Sequence, residues 1–180
     1  MIRVAINGFG RIGRLVFRIM EEDPNFDVVA INDLTDAEQL AYLLKYDTSH
    51  GNYRVNEISF DDNFIIVGDR KIRVYSETNP ANLPWKELDV DVVLECTGFY
   101  TAKDKAQAHI DAGAKKVVIS APAGKDIPTV VFGVNEKILT PEDTIISAAS
   151  CTTNCLAPMA KALNDYAPIQ SGIMSTIHAY

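Results

Sequence analysis

The chain has 180 residues, of which 47% are hydrophobic and 23% charged, a balance typical of one globular domain. Seventeen basic and 24 acidic residues leave a net charge of −7 without a Lys/Arg cluster, which argues against nucleic-acid binding. No apolar run approaches the roughly 20 residues of a membrane span, and the N-terminus lacks the pattern of a signal peptide. Three cysteines are too few for a disulfide framework, so we expect a reducing cytoplasm.

Short β-branched runs alternate with segments of helical periodicity in the first part of the chain. The pattern predicts strands at 3–7 and 27–32 and helices at 11–22 and 37–45. Residues 53–76 alternate polar and apolar side chains between turn-forming residues, which predicts antiparallel hairpins inserted between β–α units.

The same alternation resumes in the second part of the chain. It predicts strands at 90–95, 116–120, 129–132 and 144–147, helices at 103–112 and 151–166, and an extended segment from residue 170. Strands rich in Val and Ile that alternate with helices are typical of parallel sheets covered on both faces. We therefore predict an α/β fold: a doubly wound, mostly parallel sheet with a β-hairpin insert.

Gly8, Gly10 and Gly13 form a G-x-G-x-x-G pattern between the first strand and the first helix, the context in which this pattern marks a Rossmann-type dinucleotide site. Gly8 permits the tight turn, Gly10 lets the backbone approach a pyrophosphate, and Gly13 lets the helix pack on the strand. The helix start offers free N–H groups to phosphates. Asp33 ends the second strand, where a carboxylate binds ribose hydroxyls and repels a 2′-phosphate, favouring NAD over NADP.

Three further polar or flexible residues follow later strands of the predicted sheet. Thr97 and Gly98 come after the strand at 90–95, and Ser120 ends the strand at 116–120. Because ligands bind beyond the carboxyl ends of parallel strands, we expect all three in the same crevice, with an ordinary loop position as the alternative for each.

Cys151 lies where a predicted strand passes into a predicted helix. Free N–H groups at a helix start favour the thiolate, which is the nucleophilic form. Small polar neighbours argue against an apolar environment, so we predict a cysteine for covalent catalysis. Cys96 is predicted to be a core residue. The chain offers no convincing third and fourth ligand for a metal, and we predict no metal site.

His178 lies on the final extended segment. If the fold brings it to Cys151, it can hold the thiolate as an ion pair and accept a proton. A surface or core histidine without a catalytic role is the alternative. His109 is predicted to lie on a helix surface.

Five segments of the chain form a characteristic set: Ile6-Asn7-Gly8-Phe9-Gly10-Arg11-Ile12-Gly13-Arg14, Ile31-Asn32-Asp33, Glu95-Cys96-Thr97-Gly98, Ile119-Ser120-Ala121-Pro122 and Ala149-Ser150-Cys151-Thr152-Thr153-Asn154. Together they resemble the glyceraldehyde-3-phosphate dehydrogenase family. The resemblance runs in order along the whole chain, and its last segment is the most specific to the family.

This resemblance implies a phosphorylating, NAD-dependent oxidation of glyceraldehyde 3-phosphate to 1,3-bisphosphoglycerate, with Cys151 carrying a thioester and His178 acting as base. Ser150 and Thr152 match positions that contact substrate or inorganic phosphate. The implied cofactor-binding positions are Asn7, Gly8, Gly10, Arg11, Ile12, Asp33, Thr78, Thr97, Gly98 and Ser120. The family usually has Arg or Lys at position 78, so Thr78 would bind through its backbone or hydroxyl.

The resemblance also implies a homotetramer and a protein longer than this chain. We therefore expect an NAD-binding domain over residues 1–150, the start of an α+β catalytic domain over residues 151–180, and little turnover by this chain alone. Two alternatives stay open: erythrose-4-phosphate dehydrogenase, which shares the cysteine and the cofactor fold, and a non-catalytic NAD-binding module.

Overall fold

The computed structural model describes residues 1–178, in which eight strands and four helices are found. The strands are β1 (Ile2–Asn7), β2 (Phe26–Asn32), β3 (Ile58–Asp61), β4 (Phe64–Val67), β5 (Arg70–Tyr75), β6 (Val92–Glu95), β7 (Lys116–Ile119) and β8 (Ile145–Ser147). The helices are α1 (Arg11–Met20), α2 (Ala37–Lys45), α3 (Lys103–Asp111) and α4 (Cys151–Tyr166). Helices α2 and α4 have the predicted bounds.

The strands form one sheet in the order β3-β4-β5-β2-β1-β6-β7-β8. All neighbours from β5 to β8 pair in parallel. The chain moves outward from β1 through β2 to β5 and then returns to place β6 on the other side of β1. The strand order therefore reverses between β1 and β6, and their carboxyl ends form the switch point at which such sheets bind ligands.

The predicted hairpin insert is confirmed as β3, β4 and β5, which pair antiparallel with one another. Asp62 (φ 41°) and Gly68 (φ 59°) begin the two turns in the left-handed region that two-residue hairpin loops require. Because β5 also pairs in parallel with β2, the insert extends the sheet at one edge.

Side chains of β1 alternate between two cores on opposite faces of the sheet. Val4 and Ile6 belong to one buried cluster together with Phe17 of α1. Ala5 points the other way and belongs to a second cluster together with Ala106 of α3. This period of two places helices on both faces and confirms the predicted doubly wound fold.

The predicted strand at 129–132 is wrong. Thr129 makes only an isolated parallel bridge with Ser147. The ladder stops there because the Val131 N–H donates to the Asn135 side chain at 2.8 Å, which bends the chain into a turn. Residues 167–178 contain no helix or strand. Among residues 1–178, no helix has the length and apolar character needed to cross a membrane.

Candidate functional site

The glycine turn between β1 and α1 has the geometry that the sequence predicts. Gly8 has φ 92°, and a Cβ there would lie 2.8 Å from the backbone of Cys96 and Thr97. A Cβ on Gly13 would lie 2.2 Å from the carbonyl oxygen of Gly8, so α1 packs on the turn as closely as a backbone allows. Gly10 differs, because nothing lies within 4 Å of the position of its Cβ.

The start of α1 has neither a side-chain cap nor an acidic residue that would repel an anion. Gly10 caps the helix without a side-chain hydrogen bond, and the first turn carries no acidic residue. The first N–H groups of a helix have no partner within the helix and carry a partial positive charge. This end of α1 therefore suits a phosphate group.

Asp33 fixes the glycine turn from the end of β2. Its Oδ2 accepts a hydrogen bond from the Phe9 N–H at 2.7 Å, and its Oδ1 accepts one from the Thr35 N–H at 2.9 Å. A carboxylate has about four acceptor positions, so Asp33 retains capacity for ribose hydroxyls. The same carboxylate thus orders the turn and faces the ligand space.

A cleft of about 700 Å³ opens at the carboxyl ends of β1, β2 and β6, at the switch point of the sheet. The lining residues are Asn7, Gly8, Gly10, Asn32, Asp33, Leu34, Glu77, Thr78, Cys96, Thr97, Phe99, Tyr100 and Lys105. Tyr100 donates a hydrogen bond to the Thr78 carbonyl at 2.7 Å, which joins the segments that follow β5 and β6. Volume, position and lining together suit a nucleotide.

Six of the predicted cofactor residues line this cleft: Asn7, Gly8, Gly10, Asp33, Thr78 and Thr97. The other four lie beside it in the part of the chain that the structure describes. Arg11 and Ile12 are exposed in the first turn of α1, and Gly98 follows Thr97 with φ 78°. Ser120 follows β7 and contacts the Cys96 thiol.

Seven lining residues are absent from the predicted site: Asn32, Leu34, Glu77, Cys96, Phe99, Tyr100 and Lys105. Asn32 and Leu34 flank Asp33 and share its place at a strand end, which was an available signal. Phe99 is 77% exposed, and because single exposed hydrophobic residues are common on protein surfaces, it offers no such signal. Neither Glu77 nor Lys105 stands in a pattern that marks a binding site.

Cys96 and His109 differ from prediction. Cys96 is partly buried and lines the cleft because β6 ends one residue earlier. Burial raises the pKa of its thiol to about 11. His109 is 0% exposed and not on the helix surface, because α3 turns it toward the sheet, where it meets Glu95.

Cys151 is the first residue of α4 and is exposed, as predicted. Ser150 caps the helix by accepting a hydrogen bond from the Thr153 N–H at 3.1 Å. Asn154 donates from its side chain to the Ala148 carbonyl at 2.7 Å and the Ser150 carbonyl at 2.9 Å. The family-like segment therefore has a local structural role, in which it holds the turn before Cys151.

His178 approaches the same end of α4. Its Nε2 lies 3.4 Å from the Thr152 hydroxyl and 3.1 Å from the Thr176 hydroxyl. Within residues 1–178 the structure has no hydrogen bond between His178 and Cys151. The fold thus brings the two predicted catalytic residues to one helix end without joining them. No three His, Cys, Asp or Glu side chains of these residues are grouped as a metal site requires.

Helix α4 contributes no buried residue to the fold. Its large apolar side chains are exposed, as are those of the segment that follows. They include Leu156, Met159, Leu163, Tyr166, Ile169, Ile173, Met174 and Ile177. An apolar surface of this extent is unusual in a monomeric soluble protein and typical of a surface that packs against other protein.

Comparison with known proteins decides the family. The family model described as "Glyceraldehyde 3-phosphate dehydrogenase, NAD binding domain" matches residues 2–103, more than half of the chain. The chain belongs to the glyceraldehyde-3-phosphate dehydrogenase family. A second model, described as "Glyceraldehyde 3-phosphate dehydrogenase, C-terminal domain", matches residues 150–180. The glycine turn and the cleft at the switch point are thus part of the NAD-binding domain of this family.

Curated relatives agree with this assignment. The chain is 59% identical over 180 residues to glyceraldehyde-3-phosphate dehydrogenase of Clostridium pasteurianum and 58% identical over 180 residues to that of Clostridium acetobutylicum. Both comparisons cover 100% of this chain and 54% of the relative. The protein of the same name from Mycoplasma pneumoniae is 54% identical over 180 residues, with 99% and 53% covered. The chain spans about half the length of the curated relatives it matches.

Proposed function

We propose that this chain is the cofactor-binding part of an enzyme that oxidises glyceraldehyde 3-phosphate to 1,3-bisphosphoglycerate with NAD. The observation that supports this proposal is the placing of two different sites at one edge of one sheet. The cleft lies at the ends of β1 and β6, and Cys151 starts the helix that follows β8. Because β8 runs parallel to these strands, its end lies at the same edge.

NAD fits the residues of the cleft. The absent side chain of Gly10 leaves room for a pyrophosphate beside the start of α1, and Asp33 retains acceptor capacity for ribose hydroxyls. A carboxylate there disfavours the 2′-phosphate of NADP. We assign cofactor binding to Asn7, Gly8, Gly10, Arg11, Ile12, Asp33, Thr78, Thr97, Gly98 and Ser120. When bound, NAD accepts a hydride.

The reaction itself is assigned to Cys151 and His178. His178 takes the thiol proton of Cys151, and the thiolate forms a carbon–sulfur bond to the aldehyde carbon as the carbon–oxygen π bond opens. The proton passes from His178 to that oxygen, giving a hemithioacetal. His178 takes the hydroxyl proton as the hydride leaves, so a thioester on Cys151 results. An oxygen of inorganic phosphate then attacks the thioester carbon, and Cys151 departs as thiolate. Ser150 and Thr152, beside the thiolate, are assigned to the substrate and the inorganic phosphate.

The remaining assignments concern the whole protein. We take residues 1–150 as the NAD-binding domain and residues 151–180 as the start of the catalytic domain, which is supported by the lack of buried residues in α4. The exposed apolar surface of α4 supports assembly into a homotetramer. Three free cysteines support a reducing cytoplasm.

A calorimetric titration with NAD and a turnover assay on the purified chain test this proposal. We expect the chain to bind NAD more tightly than NADP and to show negligible turnover. The complete gene product should oxidise glyceraldehyde 3-phosphate in the presence of inorganic phosphate, and its Cys151→Ser variant should not. Equal binding of NADP would refute the cofactor assignment. Faster oxidation of erythrose 4-phosphate would refute the substrate.

Substantial turnover by the purified chain would show that residues 1–180 suffice for catalysis. Absence of turnover in the complete gene product would favour a non-catalytic NAD-binding module. The observation behind that second candidate is that no residue of α4, which carries Cys151, is buried.

A further inference from the structure

A network of buried hydrogen bonds lies behind the cleft and converges on the carboxylate of Glu95. Glu95 is 1% exposed and His109 is 0% exposed. Asn7 and Asn32, at the ends of β1 and β2, are also buried. Buried polar groups are costly unless each finds a partner, so the pattern of donors and acceptors among these four side chains is informative.

The direction of the hydrogen bonds is fixed at one end by a backbone N–H. The Glu77 N–H donates to Asn32 Oδ1 at 2.9 Å, which leaves the Asn32 amide nitrogen to donate to Asn7 Oδ1 at 2.7 Å. Asn7 in turn donates from Nδ2 to Glu95 Oε2 at 2.5 Å. Because a backbone N–H can only donate, both amides have one permitted orientation.

The direction is fixed at the other end by an indole. Trp85 Nε1 donates to His109 Nδ1 at 3.1 Å, and an indole N–H has no acceptor capacity. Nδ1 of His109 therefore carries no proton. Nε2 carries it and donates to Glu95 Oε2 at 3.1 Å. His109 is thus a neutral imidazole with its tautomer set by Trp85.

Glu95 receives donors on both of its oxygens. Oε2 accepts from Asn7 and His109, while Oε1 accepts from the Thr97 N–H at 2.7 Å and from the Thr97 hydroxyl. Burial opposes ionisation, yet hydrogen bonds from His109, Thr97 and Asn7 outweigh it and hold the pKa of Glu95 below its usual value. An amide in this place would direct its own N–H groups at a donor in either orientation.

The hydrogen-bonded residues adjoin every turn that forms the cleft. Asn7 precedes Gly8, Asn32 precedes Asp33, and Thr97 follows β6. These three residues line the cleft together with Glu77, whereas Glu95 and His109 lie behind it. A change at Glu95 would therefore reach the ligand only through the positions of these turns.

We propose that Glu95 and His109 are positioning residues of the nucleotide cleft: an acceptor-only carboxylate, held by a neutral imidazole, locks the turns after β1, β2 and β6 in their binding geometry. This inference rests on the proposed binding of NAD in the cleft. It assigns a role in binding to His109 of α3, which does not line the cleft.

Glu95→Gln is the main test, with Glu87→Gln as the matched control because it removes the same charge from an exposed position. We expect NAD affinity to fall about tenfold in Glu95→Gln, since a buried donor is left without its acceptor. The control should bind as the wild type does. Ile65→Ala, in the core at the hairpin, lowers stability at a distance from the cleft and should also retain affinity in the folded state.

Two variants of His109 distinguish positioning from packing. His109→Gln retains an N–H donor for Glu95, and we expect affinity within about threefold of the wild type. His109→Leu removes that donor and should lose about tenfold. Nitrogen-15 spectra of the wild-type chain should show His109 protonated on Nε2 alone, a signature that does not depend on any variant folding.

The outcomes separate this inference from the proposed function. Failure of the wild-type chain to bind NAD would refute the proposed function. Wild-type affinity in folded Glu95→Gln, equal affinities of the two His109 variants, or a proton on Nδ1 of His109 would each overturn the positioning role while leaving NAD binding intact.

Discussion

We expect Gly13→Ala and Gly10→Ala to impair different properties of the protein, although the two positions lie three residues apart in one turn. Gly13→Ala should destabilise the fold. Gly10→Ala should leave the fold largely intact and weaken NAD binding. The difference follows from what a Cβ meets at each position.

The cost at Gly13 comes from a contact between two backbones. The added Cβ would lie 2.2 Å from the Gly8 carbonyl oxygen, more than 1 Å short of an ordinary contact at 3.4 Å. Neither atom can rotate away, so α1 must move off the turn. Overpacking lowers the free energy of unfolding by about 1–3 kcal/mol, and the better helix propensity of Ala raises it by about 1 kcal/mol. Because the clash is severe, we take the cost of overpacking near the upper end of its range, and the free energy of unfolding then falls by about 2 kcal/mol in total.

At Gly10 we expect the substitution to weaken NAD binding and not the packing of the fold. Its φ is −71°, which any residue adopts, and no atom lies within 4 Å of the added Cβ. Ala in place of Gly at the helix cap costs about 1 kcal/mol at most. The methyl group would occupy space next to the start of α1, where we place the pyrophosphate. We expect NAD affinity to fall about tenfold or more.

Urea unfolding and NAD calorimetry on the two variants test this pair. The single tryptophan, Trp85, is fully buried and reports unfolding by its fluorescence. A Gly13→Ala protein as stable as the wild type would refute the close packing of α1 on the turn. A Gly10→Ala protein with wild-type affinity would refute the place given to the pyrophosphate.

Two further predictions use the surroundings of single side chains. Iodoacetamide should label the exposed Cys151 before Cys96, because a pKa of about 11 leaves roughly one Cys96 in a thousand as thiolate at pH 8; equal labelling rates in the native chain would contradict this. Backbone N–H groups of His50 and Ser49 lower the pKa of Asp47 to about 2. The stability that this carboxylate contributes is complete above about pH 4 and is lost as the pH falls through about 2. Asp47→Asn should therefore be less stable than the wild type at pH 6, and a difference in urea midpoints that grows on acidification would contradict this reasoning.

Much of the fold follows from local chemistry that can be seen in the sequence. Helix α2 begins where predicted because the Asp36 side chain accepts a hydrogen bond from the Gln39 N–H at 2.8 Å. The glycine turn is equally local, since only glycine adopts the φ of Gly8 without strain. Asp33 was predictable because its place at a strand end sets its surroundings.

The error at His109 concerns a residue whose partner lies on another element of the fold. His109 lies three residues after Ala106, so helical spacing places both on the same buried face. A buried histidine is stable there only if another group accepts the hydrogen bond of its N–H. That partner is Glu95 on β6, fourteen residues earlier. The false strand at 129–132 has a local origin instead. Its composition suits a strand, but the side chain of Asn135, four residues further on, accepts the hydrogen bond of the Val131 N–H.

The nucleotide cleft and the pair Cys151 and His178 differ in how far packing and hydrogen bonds within residues 1–178 fix their geometry. Hydrogen bonds connect the segments that line the cleft. Asp33 accepts one from Phe9 in the glycine turn, Tyr100 donates one to Thr78, and Glu95 accepts one from Asn7 at the end of β1. Cys151 begins a helix without a buried residue, and His178 contacts Thr152 instead of the thiol. A nucleophile and its base must come within about 3 Å for proton transfer, and only packing can maintain such a distance. NAD binding and turnover should therefore separate in this chain, because its packing fixes the first site and leaves the second without support.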